Sequence, residues 1–202
     1  MNARPSAPGN ARIDLRRMTV LVVDDNAMTL DLMAQIVQGL GARSVLRRPS
    51  GAEALQTLSG VDVDLVIADA HMAGIDGFEV VTQMRRGERA ANRYAPVILV
   101  TGHSREADVT RARDCGANFV VAKPVKPQVL VDRIYWITLD RREFVECDSY
   151  VGPDRRFRNY GPPVGEKGRR ADDINGTLGI AKEPNMSQEA IDALMKPTRV
   201  AL

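Results

Sequence analysis

The sequence predicts a doubly wound α/β domain, in which helices cover both faces of a parallel five-stranded sheet. Short apolar segments alternate five times with segments of helical periodicity between residues 18 and 139. Each strand that returns parallel to its predecessor needs a long crossover, and a helix is the usual one. Hydrophobic residues make up 44% of the chain and charged residues 27%, which is typical of a globular protein.

The strands are expected where short apolar runs stand between turn signals. These runs lie at residues 18–23, 44–46, 65–68, 97–100 and 118–122.

The helices follow from a different periodicity. Apolar residues at i, i+3, i+4 and i+7 indicate the first helix: Leu30, Met33, Ala34 and Val37. Ser50 and Glu53 form a capping box that predicts the start of the second helix. Three more helices are expected near residues 77–86, 105–115 and 126–138.

The chain divides into three parts. Residues 1–17 hold four arginines and one aspartate, which predicts a basic flexible arm, and residues 18–139 are the predicted folded domain. Residues 140–202 are expected to form a tail, since ten of the 35 residues in 151–185 are Gly or Pro. A pattern at 187–195 predicts a short amphipathic helix at its end.

The composition excludes several classes of protein. No run approaches the roughly 18 apolar residues of a membrane span, so no membrane insertion is expected. A net charge of +2 gives no support for DNA binding by the whole chain. The N-terminus lacks the apolar region of a secretory signal, and a cytoplasmic location is therefore expected. Cys115 and Cys147 have no metal-site or disulfide spacing and are expected as free thiols.

Polar residues follow the strands at the edge where ligands bind to open parallel sheets. They are, in chain order, Asp24, Asp25, Asp69, Thr101 and Lys123. Three carboxylates in one crevice repel each other unless a cation offsets them. A site with only oxygen ligands suits Mg²⁺.

Five motifs carry a resemblance to the receiver domain of two-component response regulators. They are LVVDDN at 21–26, LVIAD at 65–69, MAGIDG at 72–77, VTG at 100–102 and AKP at 122–124. The resemblance implies a flavodoxin-like sheet with strand order 2-1-3-4-5. It also implies phosphorylation by a histidine kinase or phosphotransfer protein, and a switched surface that binds a protein target.

The resemblance assigns a role to each residue of the acidic edge. Asp69 is the expected phosphoacceptor, and Asp24 and Asp25 hold Mg²⁺ together with Asp69 and the backbone carbonyl of His71. Thr101 and Lys123 contact the phosphoryl group. A dedicated transition-metal site built on the two histidines is not expected, because no third imidazole or thiolate lies nearby.

Three departures bear on mechanism. Ala73 stands where the family usually has proline, while Gly74 and Gly77 remain and are expected to supply positive φ. Val120 stands where the family usually has an inward-swinging aromatic, and Phe119 points to the other face of the strand. Residues 140–202 lack the motifs of an effector domain, which predicts a stand-alone receiver.

The tail contains an arginine-rich segment at residues 154–170, with six basic and two acidic residues. It is similar to the extension of chemotaxis-type single-domain receivers that bind cyclic di-GMP. Arginines chelate phosphates and stack on purines, so candidate ligand or partner contacts are Arg155, Arg156, Arg158, Tyr160, Arg169 and Arg170. A solvated tail with no ligand is the alternative.

Two rival functions remain open. An aspartate-nucleophile phosphatase uses the same sheet and Mg²⁺, but it needs a second acid two residues after the nucleophile, where this chain has His71. A phosphorylation-independent adaptor would have no use for Asp24, Asp25 and Lys123 together.

Overall fold

The computed structural model describes residues 14–103, 105–140, 142–155 and 186–195. Five parallel strands form one sheet in the order β2-β1-β3-β4-β5. Their bounds are β1 Thr19–Val23, β2 Ser44–Arg48, β3 Leu65–Asp69, β4 Val97–Thr101 and β5 Phe119–Ala122. All five predicted strands and the predicted fold class are therefore confirmed, with shifts of one or two residues at several ends.

Seven helices are present among the described residues. They are α1 Ala27–Gly39, α2 Gly51–Gly60, α3 Gly77–Arg86, α4 Ala90–Tyr94, α5 Glu106–Asp114, α6 Pro127–Leu139 and α7 Gln188–Met195. The four residues that predicted α1 are all buried. Ser50 Oγ caps α2 by accepting a hydrogen bond from the backbone N–H of Glu53. The five-residue helix α4 was not predicted.

The sheet separates two apolar clusters. On one face of the sheet, residues of α2, α3, α5 and α7 pack against the side chains of β1, β3, β4 and β5 that point to that face. On the other face, α1 and α6 pack against the alternate side chains of the same strands. Leu15, within the predicted basic arm, is 1% exposed and belongs to this second cluster. Alternation along these strands therefore places successive apolar side chains in one cluster and then in the other.

A β-hairpin follows α6, within the predicted tail. Its strands are β6 Phe144–Cys147 and β7 Tyr150–Pro153, which pair antiparallel. The ring of Phe144 packs edge-on against Tyr94, with 5.0 Å between centroids. Arg85 lies with its guanidinium carbon 5.0 Å from the Phe144 centroid. The hairpin is thus an extension of the domain beyond residue 139.

Two further features concern the cysteines and the lengths of the helices. Cys115 and Cys147 are free cysteines. No helix in the part of the chain that the structure describes is long and apolar enough to cross a lipid bilayer.

Candidate phosphoryl-accepting site

The polar residues of the acidic edge converge because four parallel strands end together. Asp24 directly follows β1, Asp69 is the last residue of β3, and Thr101 is the last residue of β4. Lys123 follows β5, and its backbone N–H donates to the carbonyl of Thr101 at 2.7 Å. The strand register thus fixes the relative positions of these side chains.

Three carboxylates form a compact cluster at this edge. One oxygen from each of Asp24, Asp25 and Asp69 lies within 4.8 Å of the other two. Asp24 and Asp69 are buried, whereas Asp25 is exposed and accepts a hydrogen bond from the backbone N–H of Ala73 at 3.3 Å. The cluster is therefore open to solvent on the Asp25 side.

Lys123 neutralises part of this negative charge. Its Nζ lies 2.7 Å from Asp69 Oδ2 and 2.9 Å from Asp24 Oδ2. Burial alone would lower the pKa of Lys123, but the hydrogen bond to Asp69 and the charges of Asp69 and Asp24 outweigh burial and hold that pKa above its ordinary value. The ammonium is therefore charged at neutral pH.

Asp24 remains incompletely satisfied. Its Oδ1 accepts a hydrogen bond from the backbone N–H of Asn26 at 2.9 Å. Its buried Oδ2 has Lys123 nearby, but it accepts no well-aligned hydrogen bond among the described residues. Burial raises the pKa of the Asp24 carboxyl above its ordinary value, and the neighbouring charge of Asp69 adds to this, while Lys123 and Asn26 oppose it. A buried carboxylate oxygen of this kind is suited to a cation.

Thr101 is 1% exposed, and its hydroxyl is turned toward the following loop. The hydroxyl donates to the carbonyl of His103 at 2.9 Å and accepts from the N–H of His103 at 3.1 Å. A new acceptor at Asp69 would compete with the His103 carbonyl for the hydroxyl proton. Thr101 therefore holds the loop that leads into α5, from the edge of the sheet at which the acidic cluster lies.

The similarity of this chain to known proteins agrees with the geometry of the acidic cluster. A family model described as the response regulator receiver domain matches residues 20–135. The chain belongs to this family. Membership places the chain among signalling domains rather than among enzymes, and it confirms the resemblance drawn from the five motifs.

Relatives of this receiver include whole proteins and parts of larger ones. This chain is 30% identical over 120 residues to the transcriptional regulatory protein YvrH of Bacillus subtilis. The alignment covers 59% of this chain and 48% of YvrH. The chain is 28% identical over 117 residues to the chemotaxis protein CheY of Pseudomonas aeruginosa, covering 58% of this chain and 93% of CheY. The chain thus spans about half of YvrH and most of CheY.

The fold is shared with a receiver domain solved with a metal. The receiver domain of the sensor histidine kinase PA1611 from Pseudomonas aeruginosa, which has a magnesium ion coordinated in its active site cleft, aligns with a TM-score of 0.54. The identity is 24%, and the alignment covers 60% of this chain and 98% of that domain. This likeness concerns the fold.

The two histidines of the receiver lie beside the acidic cluster and outside it. Their rings meet edge-on with centroids 5.4 Å apart, and His71 Nε2 lies 3.4 Å from Asp108 Oδ1 on α5. Asp108 carries no signal in the sequence that would single it out, because only the fold brings α5 against His71. Within the described ranges, the group of three or more potential metal ligands consists of the three aspartates, and neither histidine is part of it.

Gly77 was expected to supply a positive φ, but the structure gives it a different role. Gly74 has φ +75°, as predicted, but Gly77 is not among the glycines of positive φ. A Cβ on Gly77 would lie 2.1 Å from the backbone oxygen of Asp69. Gly77 is therefore needed because α3 begins against the backbone of the expected phosphoacceptor.

Of the six candidate contacts in the arginine-rich segment, only Arg155 lies within the described residues. The other five candidate contacts, Arg156, Arg158, Tyr160, Arg169 and Arg170, lie outside them. The Arg155 guanidinium carbon lies 3.9 Å from the Tyr150 ring centroid, and Arg155 forms an ion pair with Asp114 at the end of α5. Since α5 runs back from the carboxyl edge of the sheet, this places Arg155 away from the acidic cluster.

Proposed function

We propose that this receiver accepts a phosphoryl group on Asp69 in the presence of Mg²⁺ and thereby switches a protein-binding surface. The observation that carries the proposal is the contact of Asp69 with Lys123 beside two further carboxylates. Such a set neutralises charge on a phosphoryl group during its transfer. A histidine kinase or phosphotransfer protein is the proposed donor.

The proposed metal ligands are the carboxylates of Asp24, Asp25 and Asp69 and the backbone carbonyl of His71. The cluster fits a divalent cation, because the buried Oδ2 of Asp24 lacks a well-aligned hydrogen bond among the described residues and the donor atoms are oxygens. When bound, Mg²⁺ would offset the negative charge of the phosphoryl oxygens.

The chain's own residues carry the transfer. A carboxylate oxygen of Asp69 attacks phosphorus, a new P–O bond forms, and the donor atom leaves with the electron pair of the broken bond. Lys123 Nζ, already 2.7 Å from Asp69 Oδ2, is placed to pair with a phosphoryl oxygen. The Thr101 hydroxyl then exchanges the His103 carbonyl for a phosphoryl oxygen, which links acceptance to the loop before α5.

The test is labelling with acetyl phosphate and Mg²⁺, followed by intact-mass measurement. Wild type should gain the mass of one phosphoryl group, and Asp69→Asn should gain none. Lys123→Ala should be labelled more slowly, since the acceptor remains while a neutralising charge is lost. An unlabelled wild type would favour the phosphorylation-independent adaptor.

A further inference from the structure

The C-terminal helix α7 is built into the core of the domain at the edge strand β5. Ile191 is fully buried and Met195 is 6% exposed. Both belong to the same apolar cluster as Val120 of β5 and Val109 of α5. The helix therefore covers a surface formed by α5, β5 and α6, which we call the β5-edge surface.

Gln188, the first residue of α7, hydrogen-bonds the edge of β5 as the backbone of a neighbouring strand would. The backbone N–H of Ala122 donates to Gln188 Oε1 at 2.8 Å, and Gln188 Nε2 donates to the carbonyl of Val120 at 2.9 Å. β5 lies at the edge of the sheet, where backbone groups of this kind are a template for pairing. One amide side chain therefore satisfies both a donor and an acceptor of the edge.

An ion pair fixes α7 to α6. Asp192 Oδ2 lies 2.6 Å from Nη2 of Arg133, which is 3% exposed, and Gln188 Nε2 also donates to Asp192 Oδ1 at 3.0 Å. The Arg133 guanidinium carbon lies 4.1 Å from the centroid of Trp136, the single tryptophan of the sequence. Trp136 is thus a native reporter of whether Arg133 is held by α7.

Both elements under α7 lead directly to the acidic cluster. Ala122, which Gln188 binds, precedes Lys123, whose Nζ contacts Asp69. The helix α5 follows the loop held by the Thr101 hydroxyl. A rearrangement of Lys123 and Thr101 around a phosphoryl group would displace the end of β5 and the start of α5 together.

We propose that α7 is an intramolecular ligand of the β5-edge surface, seated while Asp69 is unphosphorylated and released when Asp69 carries a phosphoryl group. A surface that buries Ile191 completely tolerates little displacement, because packed interfaces are bistable rather than continuously deformable. Release then exposes the β5-edge surface, including the backbone groups of Val120 and Ala122 that Gln188 occupied, to a protein partner. This inference rests on the proposed function.

Reciprocity makes the coupling measurable without knowing the partner. If a phosphoryl group at Asp69 disfavours seated α7, then a chain with α7 unseated must bind a phosphoryl mimic more tightly, by the same factor. Allosteric couplings of this kind commonly amount to at least about fivefold.

The experiment uses the full chain, Mg²⁺ and beryllofluoride, with affinity measured from Trp136 fluorescence and from amide signals. Ile191→Asp places a charge in the buried contact and should unseat α7. Gln188→Ala removes the two bonds to β5 without touching the apolar core. Ala193→Asp is the matched control, since Ala193 lies on the exposed side of α7.

We expect beryllofluoride to bind Ile191→Asp at least about fivefold more tightly than wild type, Gln188→Ala to lie between them, and Ala193→Asp to match wild type. The Ala122 amide signal should shift in Ile191→Asp without beryllofluoride and in wild type with it.

Three results would overturn the inference. An unshifted Ala122 amide in Ile191→Asp would mean that α7 does not sit on β5. Equal or weaker beryllofluoride binding by a variant in which α7 is shown to be unseated would contradict the coupling alone. No beryllofluoride response in wild type would contradict the proposed function itself, and the inference would fall with it.

Discussion

The buried carboxylate of Asp24 lowers the stability of the fold. A fully buried carboxylate with one oxygen short of a well-aligned hydrogen bond is destabilising, and the contact with Lys123 offsets only part of that. The pKa of Asp24 lies above its ordinary value for the same reason, namely burial. On the proposal that this site binds Mg²⁺, the bound cation would offset the cost of burying the carboxylate.

Asp24→Asn should stabilise the protein without metal, since it removes one of three clustered negative charges and keeps a side chain of the same size. We expect the Tm without Mg²⁺ to rise by about 2 to 4 °C, the shift that about 1 kcal/mol produces in a domain of this size. Adding Mg²⁺ should raise the Tm of wild type and leave the variant nearly unchanged. A lower Tm for the variant in EDTA would contradict this account, and Asp31→Asn, on the exposed face of α1, is the control.

Thr101→Ala should leave phosphorylation of Asp69 intact but weaken the conformational change that follows it. The hydroxyl bonds the loop at His103 rather than Asp69, so Asp69 should still be labelled by acetyl phosphate at close to the wild-type extent. Amide shifts on beryllofluoride binding should shrink across residues 102–122. Thr101→Ser keeps the hydroxyl and should respond like wild type, and equal shifts in all three proteins would show that Thr101 is not the switch.

The hairpin of β6 and β7 depends on contacts with distant parts of the chain. Arg85, 1% exposed, donates to the carbonyls of Ala95 and Gly116, and its guanidinium lies beside Phe144. Burial lowers the pKa of Arg85 to about 10, which still leaves it charged at neutral pH. Gly116 has φ +96°, and a Cβ there would lie 2.5 Å from the carbonyl oxygen of Val151.

Gly116→Ala should therefore destabilise the domain by about 2 kcal/mol or more, through backbone strain and the clash with Val151. Urea unfolding should show a lower midpoint. Gly60→Ala is the control, because a Cβ at the end of α2 meets nothing within 4 Å, and its midpoint should not fall. Equal midpoints for the two variants would mean that the hairpin does not pack against Gly116.

These contacts explain which elements the sequence could predict. The sheet and α1 were predictable because apolar residues recur at the period of each element. The hairpin was not, since its strands are only four residues long, β6 is partly exposed, and the contact that stabilises it comes from Arg85, about 60 residues away in sequence. The short pattern at 187–195 predicted α7, but its seat on β5 depends on the contact of Gln188 with Ala122, 66 residues away.

The same limit applies to the acidic site. Asp24, Asp69 and Lys123 could be predicted to meet because strand order alone brings strand ends together. The contact of His71 with Asp108 and the close approach of Gly77 to Asp69 depend on how α3 and α5 lie on the sheet. Val120, where the family usually has an aromatic residue, lies in the cluster that also contains Ile191 and Met195 of α7.

The acidic cluster and Arg155, the candidate contact of the arginine-rich segment that the structure describes, lie in different parts of the domain. The acidic cluster lies at the carboxyl edge of the sheet, whereas Arg155, where the arginine-rich segment begins, lies beside Asp114 at the far end of α5. We therefore expect that the arginine-rich segment binds a ligand by phosphate chelation and stacking, and that this binding does not need Asp69.

Titration calorimetry with cyclic di-GMP tests that prediction. We expect binding to the full chain that weakens with added salt and persists in Asp69→Asn. Replacing Arg156 and Arg158 by alanine should weaken it at least tenfold, since each lost stacking or chelating contact costs on the order of 1 to 3 kcal/mol. Replacing Arg47 and Arg43, outside the segment, is the control, and no heat at high micromolar ligand would leave the segment as a solvated tail.

Identification of the modified residue decides whether this receiver works as proposed. Borohydride reduces an aspartyl phosphate to homoserine, and peptide sequencing by mass spectrometry then locates it. After treatment with acetyl phosphate and Mg²⁺, homoserine should appear at position 69 and should be lost when EDTA is added before the phosphodonor. Homoserine at position 24 or 25 instead, or unmodified Asp69 after full exposure to the donor, would contradict the assignment of Asp69 as the phosphoacceptor.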